Sequence, residues 1–248
     1  MPDQLTAPLP GTVYLIGAGP GAADLITVRG ARLLAQAEVV LHDALVTAEM
    51  LELCPQALKI PVGKRSGQRS ATQSNINQQI IDAATKFSKV VRLKGGDPML
   101  FGRADEEMSA LEQAGIDFEI VPGITTALAA AASVQQPLTK RGVARSVALF
   151  TSSTAAGEDA ETRIPDCDTL VQYMGGKEAI LTAQRMLAAG YLPSLPVIAI
   201  ENCSRPNEHI ERLTLAELAQ GLSVCEGPVL VMMGEAMRSR SIQAKQAI

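Results

Sequence analysis

A chain of 248 residues with 47% hydrophobic and 19% charged residues is long enough for one large core or two small ones, and its composition excludes a disordered protein. The formal net charge of −4 excludes nucleic-acid binding by general electrostatics, while leaving room for local basic patches. Aromatic residues are only 3% and Trp is absent, so Ala, Val, Leu and Ile must fill the core, as where helices pack on a parallel sheet. Cys54, Cys167, Cys203 and Cys225 include no C-x-x-C pair, and His42 and His209 stand far apart, so no zinc site, disulfide framework or metal site is expected. Residues 1–10 have neither a basic start nor an apolar run, and no apolar stretch nears the roughly 20 residues of a membrane span. A soluble, cytoplasmic protein with no membrane or nucleic-acid partner is expected.

In chain order, residues 12–16 read as a buried strand running into Gly17-Ala18-Gly19-Pro20-Gly21-Ala22. This resembles the dinucleotide pattern G-x-G-x-x-G/A, and Asp43 follows about twenty residues on, after a strand at 38–41. One reading is therefore a Rossmann fold. Against it, the helical pattern starts only after Thr27, its N-cap, with Val28, Ala31, Leu34 and Ala35 as the apolar face. A dinucleotide fold opens its helix inside the glycine motif. Residues 58–62 make a third strand, followed at 63–70 by G-K-R-S-G-Q-R-S, a basic loop suited to an anionic ligand or simply solvated. Thr72 caps a helix over 73–86.

The strand at 89–93 ends abruptly at Gly95, Gly96, Asp97 and Pro98. Paired glycines there let a ligand approach bare backbone, Asp97 can accept hydrogen bonds, and Pro98 stops the strand. The plain alternative is a tight turn into a helix over 103–114. Asp105, Glu106 and Glu107 suit the dipole at that helix start; Arg103 does not, so it is expected to face a ligand or one of those acids. A strand at 118–121 ends at P-G-I-T-T-A, with Thr125 or Thr126 capping a small-residue helix at 127–133. Three strand ends thus converge on one edge, where open α/β sheets bind ligands.

Residues 135–142 are loosely patterned and basic, and serve as the expected linker between an N-terminal α/β domain, 11–134, and a C-terminal α/β domain, 143–240. Strands are expected at 146–150, 169–173, 196–200 and 229–233, with a polar loop at 151–165, a helix from 176 to about 189 and another near 216–220. His209 lies in a polar, solvated stretch, Met232 and Met233 are core, and the tail from Arg238 frays. Alone, Met174 reads as core and Asp43 as a cap of the next short helix.

The motifs V-Y-L-I-G-A-G-P-G, H-D-A-L-V, V-G-K-R, R-L-K-G-G-D-P-M-L-F-G-R, V-P-G-I-T-T-A, P-L-T-K-R-G-V-A-R-S and L-V-Q-Y-M-G, in order from Thr12 to Gly234, resemble the tetrapyrrole (precorrin) methylases. The resemblance implies two α/β domains with a cofactor and substrate cleft between them, usually as a homodimer. It implies S-adenosylmethionine as cofactor, with S-adenosylhomocysteine as product. The most similar members methylate uroporphyrinogen III at C2 and C7, giving precorrin-2. By resemblance, Pro20, Gly95, Gly96, Asp97, Leu100, Thr125, Thr126, Met174, Cys203 and Val229 fall on cofactor-contacting positions. Arg65, Arg103, Glu106, Arg141 and Arg145 fall on the substrate side, with Lys64 a further cation for a carboxylate-rich tetrapyrrole. Asp43, Lys64, Arg103 and Glu106 are the positions offered for acid–base work.

Several residues depart from the family pattern. His42 stands for Tyr, Lys140 for His, Ser152-Ser153 for Gly-His, Cys203 for Gly, and R-A-D-E-E for R-G-G-E-E at 103–107. Methylation of another precorrin, a Rossmann-type NAD or FAD oxidoreductase, and a non-catalytic cofactor-binding regulator remain as other readings.

Overall fold

The computed structural model describes residues 10–62, 72–153, 163–223 and 225–239. The chain divides into two compact α/β units, Met1–Thr125 and Thr126–Ile248. The division falls ahead of the linker expected at 135–142. The small-residue helix Thr126–Ser133 (α5) belongs to the second unit, because Ala127 and Ala130 pack with Val134, Ala144 and Val171 there.

The first unit holds strands β1 (Thr12–Gly17), β2 (Val39–His42), β3 (Leu58–Pro61), β4 (Lys89–Lys94) and β5 (Phe118–Val121). They form a wholly parallel sheet in the order β3-β2-β4-β1-β5. Helices α1 (Val28–Leu34), α2 (Ala48–Leu51), α3 (Gln73–Ala84) and α4 (Ala104–Gln113) cover it. On one face Leu15, Leu41 and Val90 pack with Ile80 of α3 and Leu111 of α4; on the other Ile16, Val40 and Leu93 pack with Leu34 of α1 and Met50 of α2. Burial on both faces explains why V-Y-L-I and V-V-L read as continuous apolar runs. Side-chain oxygens of Thr27, Thr47 and Thr72 cap α1, α2 and α3 by accepting from the amides three residues on. Every strand of this sheet delivers its carboxyl end to one edge.

The second unit holds β6 (Val147–Thr151), β7 (Thr169–Tyr173), β8 (Pro196–Glu201), β9 (His209–Thr214) and β10 (Val229–Met233) in the order β6-β7-β10-β8-β9. Only β6 and β7 pair in parallel; β10 runs antiparallel between β7 and β8. Helices α6 (Gly176–Ala188) and α7 (Leu215–Gln220) cover one face, and α5 with a 3-10 turn at Glu235–Met237 covers the other. A capping box between Thr214 and Glu217 starts α7. The expected polar stretch around His209 is an edge strand. H-I-E-R-L-T alternates weakly because an edge strand with half-exposed residues shows little hydrophobic contrast. No helix of the described residues is long and apolar enough to cross a membrane.

Candidate functional site

The ends of β1, β4 and β5 meet backbone to backbone. A Cβ on Gly17 would lie 2.6 Å from Gly123 Cα and from Gly96 O, and one on Gly123 would lie 2.2 Å from Gly96 O. Glycine is therefore required at both places by close packing. Gly96 differs: its φ is +70°, and a Cβ there would meet nothing within 4 Å. It presents bare backbone to open space.

Five amides of this edge are already committed. Gly19 N donates to Gly96 O at 3.1 Å, Gly96 N to Gly19 O at 2.7 Å, and Ala18 N to Lys94 O at 2.7 Å. Gly95 N donates to Asp43 Oδ2 at 3.0 Å, and Gly123 N to Asp97 Oδ2 at 2.9 Å. A pyrophosphate needs free N–H donors, as a phosphate-binding loop supplies. This edge keeps instead carbonyl oxygens with spare lone pairs and two carboxylates. The helix α1 starts only at Val28, after a 3-10 turn at Ala23–Leu25, so the 17–22 glycine motif does not open a helix.

Asp43 and Asp97 each fasten two segments. Asp43 Oδ1 accepts from Leu45 N at 2.9 Å while Oδ2 holds Gly95, so it bridges the ends of β2 and β4. Thr47, not Asp43, caps α2. Asp97 Oδ1 accepts from Met99 N at 2.8 Å while Oδ2 holds Gly123, joining the ends of β4 and β5. Leu100 N reaches back to Asp97 O at 3.3 Å, and Pro20 is buried beside the Gly19–Gly96 bridge.

Arg103 pairs with an acid, as its place at a helix start implied. Its Nε and Nη2 donate to Glu106 Oε1 and Oε2 at 2.6 and 2.8 Å. Both side chains stay exposed. The arginine is the N-cap of α4 in the left-handed region, φ +55°, and Phe101 is also left-handed at φ +51°. Such conformations in residues other than glycine concentrate where function over-determines them. The Arg103 guanidinium holds the Glu106 carboxyl below the usual carboxylate range. Glu106 is thereby a poor proton acceptor. The expected cations Lys64 and Arg65 lie outside the described residues.

Sequence reasoning missed a buried ionic group. Arg92 and Lys94 of β4 both donate to Glu107 of α4, at 3.0 and 2.9 Å. The signal was available: R-L-K within a central parallel strand puts two cations, two residues apart, on one face where charge is seldom buried unpaired.

In the second unit the remaining candidates gather at one sheet end. Ala127 N donates to Tyr173 Oη at 3.1 Å, holding Thr126 and the start of α5 to the end of β7. Met174 follows with φ +54° and 49% exposure, so it is not core. Gly175 N donates to Val229 O at 2.9 Å and Asn202 N to Pro228 O at 3.0 Å, which brings Val229 and the Asn202–Cys203 turn to the same end. Burial, with Glu208 nearby, pushes the Cys203 thiol up to about 12. It is therefore no nucleophile at neutral pH. Native protein treated with iodoacetamide at pH 8 is expected to remain unmodified at Cys203 and to be modified there after unfolding, as read by mass spectrometry. Arg141 and Arg145 lie exposed at the turn closed by Lys140 and Ala144, the Arg145 amide donating to Asp168 Oδ2 at 2.8 Å. Ser152, one of the two serines that depart from the family's Gly-His, is engaged within its own unit. Gln172 Nε2 donates to its Oγ at 3.1 Å, and Thr182 Oγ1 lies 3.1 Å from the same oxygen.

A parallel sheet with glycine-lined strand ends and an antiparallel-mixed second unit define the class. Residues 12–219 match the family model of the Tetrapyrrole (Corrin/Porphyrin) Methylases, and the chain belongs to that family. It is 40% identical over 244 residues to a siroheme synthase of Hydrogenovibrio crunogenus, covering 96% of this chain and 52% of that protein. A siroheme synthase of Pseudomonas fluorescens is 41% identical over 239 residues, covering 93% and 51%. The chain thus spans about half the length of these curated relatives. Among solved structures it is similar to the uroporphyrin-III C-methyl transferase of Thermus thermophilus complexed with S-adenosyl homocysteine. The TM-score there is 0.79 at 37% identity, covering 92% of this chain and 94% of that one. A cobalt precorrin-4 methyltransferase gives 0.76 at 28%, covering 92% and 96%.

Proposed function

We propose that this chain is an S-adenosylmethionine-dependent C-methyltransferase that methylates uroporphyrinogen III at C2 and C7, giving precorrin-2 and S-adenosylhomocysteine. The observation that carries the reading is the donor-poor edge around Gly96. The amides of Ala18, Gly19, Gly95, Gly96 and Gly123 are spent internally, while open backbone, carbonyl oxygens and carboxylates remain. That set fits a ligand with an ammonium and a sulfonium better than it fits a pyrophosphate. Likeness over nearly the whole length of the Thermus enzyme supports the same donor and acceptor.

S-adenosylmethionine, when bound, supplies an electrophilic methyl group. In the first unit Pro20, Gly95, Gly96, Asp97, Leu100 and Thr125 are the residues to hold it; in the second, Thr126, Met174, Cys203 and Val229 are. Leu45, Met99 and Phe101 are exposed apolar side chains two residues from Asp43, Asp97 and Arg103, and suit the flat apolar face of a tetrapyrrole. Arg103, paired with Glu106, and the exposed Arg141 and Arg145 are the cations for its carboxylates, with Lys64 and Arg65. A methyl added to a fully substituted pyrrole carbon leaves the ring cationic, and a proton must then leave the ring nitrogen or an adjoining bridge carbon. Asp43 is the described group for that step, since a carboxylate accepting two backbone N–H bonds keeps further lone pairs. Assembly as a cytoplasmic homodimer belongs to the same proposal.

The test is calorimetric titration with S-adenosylhomocysteine, followed by turnover with enzymatically generated uroporphyrinogen III. Tight binding and a dimethylated product are expected. Binding without product moves the acceptor to another precorrin. Absence of binding overturns the proposal. For Asp97→Ala we expect a roughly 10- to 100-fold loss of S-adenosylhomocysteine affinity, because freeing Gly123 N and Met99 N costs about 1–3 kcal/mol. Unchanged affinity would show that Asp97 does not organise the binding edge.

A further inference from the structure

The ionic group beneath the site has no part in the reaction as proposed. Arg92 and Lys94 are each 4% exposed and Glu107 is 1% exposed. Glu107 Oε1 accepts from Arg92 Nε at 3.0 Å and Oε2 from Lys94 Nζ at 2.9 Å. Gln73 Nε2 of α3 adds a longer contact to Oε1 at 3.4 Å, and Arg92 Nη1 reaches Leu93 O at 3.0 Å and Leu41 O at 3.4 Å. Two cations share one carboxylate, and the Asp43 carboxylate also acts on Lys94. Such a group is a poor device for stability, because well-packed apolar residues of equal volume commonly do as well or better.

Its position is informative. Lys94 is the last residue of β4 and Glu107 lies in the first turn of α4, so the pair grips the loop 95–103 at both ends. That loop carries Gly96, Asp97 and Arg103, and it holds Phe101 and Arg103 in left-handed conformations. The Lys94 stem packs under it, with Cε 3.2 Å from where a Cβ on Gly102 would sit. From the same helical turn, Glu106 O accepts from Asn77 Nδ2 of α3 at 2.9 Å, fixing the far end of the grip.

We propose that Glu107 is a positioning residue, a single buried carboxylate that clamps β4 to α4 and so fixes Asp97 and Arg103 in their working places. The inference rests on the methyltransferase reading. Its test compares the wild type with Glu107→Gln, with Lys94→Met, and with the apolar triple variant Arg92→Met/Lys94→Met/Glu107→Leu. Melting temperature, amide exchange of residues 95–103, S-adenosylhomocysteine affinity, kcat and KM are measured on each. The triple variant is expected to fold cooperatively, to exchange faster within 95–103 than in the rest of β4 and α4, and to lose at least about tenfold in kcat with a smaller change in KM. Lys94→Met, which leaves a one-to-one Arg92–Glu107 pair, is read in the same way and decides the matter if the other variants do not fold. Wild-type loop exchange and kcat in the folded variants overturn the clamp, as does exchange raised equally throughout β4 and α4. If the wild type binds S-adenosylhomocysteine but does not methylate uroporphyrinogen III, the acceptor assignment fails, and the exchange measurement still decides the clamp.

Discussion

Gly96→Ala is expected to abolish S-adenosylhomocysteine binding while lowering the melting temperature only slightly, whereas Gly123→Ala is expected to lose both binding and stability. The difference lies in where the added methyl goes. At Gly96 it projects into space empty of protein to 4 Å, so the cost to the fold is that of a left-handed alanine, about 1–2 kcal/mol. The same methyl occupies the place assigned to the ligand, and a loss of at least about a hundredfold in affinity follows from a steric conflict of roughly 2.7 kcal/mol or more. At Gly123 the methyl would sit 2.2 Å from Gly96 O and 2.7 Å from Gly17 Cα. All these neighbours are backbone, so no side chain can yield. The end of β5 must withdraw and break the Gly123–Asp97 hydrogen bond. Overpacking at about 1–3 kcal/mol and the lost hydrogen bond of a half-buried donor at about 0.5–1.5 kcal/mol add to roughly 1.5–4.5 kcal/mol, which lowers the melting temperature of a unit this size by several degrees. Calorimetry and thermal melts on the two variants separate the effects. Intact binding by Gly96→Ala would mean that the ligand does not lie against Gly96.

The first unit was legible in the sequence because its strands are buried on both faces. V-V-R-L-K-G-G-D-P gave both the strand and its abrupt stop, and threonine caps marked α1 and α3 to within a residue at their starts. The convergence of three glycine-bearing ends on one edge followed from parallel strands alone. What the sequence hid was partnership. Nothing in the order of residues shows that Asp97 spends both oxygens on Met99 and Gly123, or that the glycine amides satisfy one another, because these bonds join segments far apart in the chain. Lys94 and Glu107 were passed over for a related reason. R-L-K in a central strand marks Arg92 and Lys94 as inward-facing, but a charge in a first helical turn reads as exposed, and only the structure shows that Glu107 points inward to meet them. In the second unit β9 went unseen because an edge strand lacks the hydrophobic alternation that marks a half-buried one. The division between the two units falls ahead of the helix α5, whose alanines give no sign in the sequence of which core they join.

Arg103→Ala is expected to lower turnover by at least about a hundredfold while S-adenosylhomocysteine affinity and melting temperature stay close to wild type, a loss typical of removing a donor that positions or stabilises a reacting group. Stability is spared because an exposed ion pair contributes only about 0–1 kcal/mol, and alanine replaces a residue already left-handed without glycine's help. Turnover is not spared. Arg103 commits Nε and Nη2 to Glu106 and keeps the rest of its fork for a second carboxylate, so the glutamate aims the guanidinium and the substrate completes it. Lysine, a point charge without the planar fork, is expected to restore little. The pH dependence has a defined sign. The Glu106 proton is held less tightly in the folded protein than in an ordinary carboxylate, so the pair is intact through neutral pH and breaks only as pH falls through that lowered range. A fall in kcat/KM that begins at or above the ordinary carboxylate range must then come from another group. Loss of cofactor affinity together with turnover in Arg103→Ala would move Arg103 from the substrate to the cofactor; unchanged turnover would remove it from the reaction altogether.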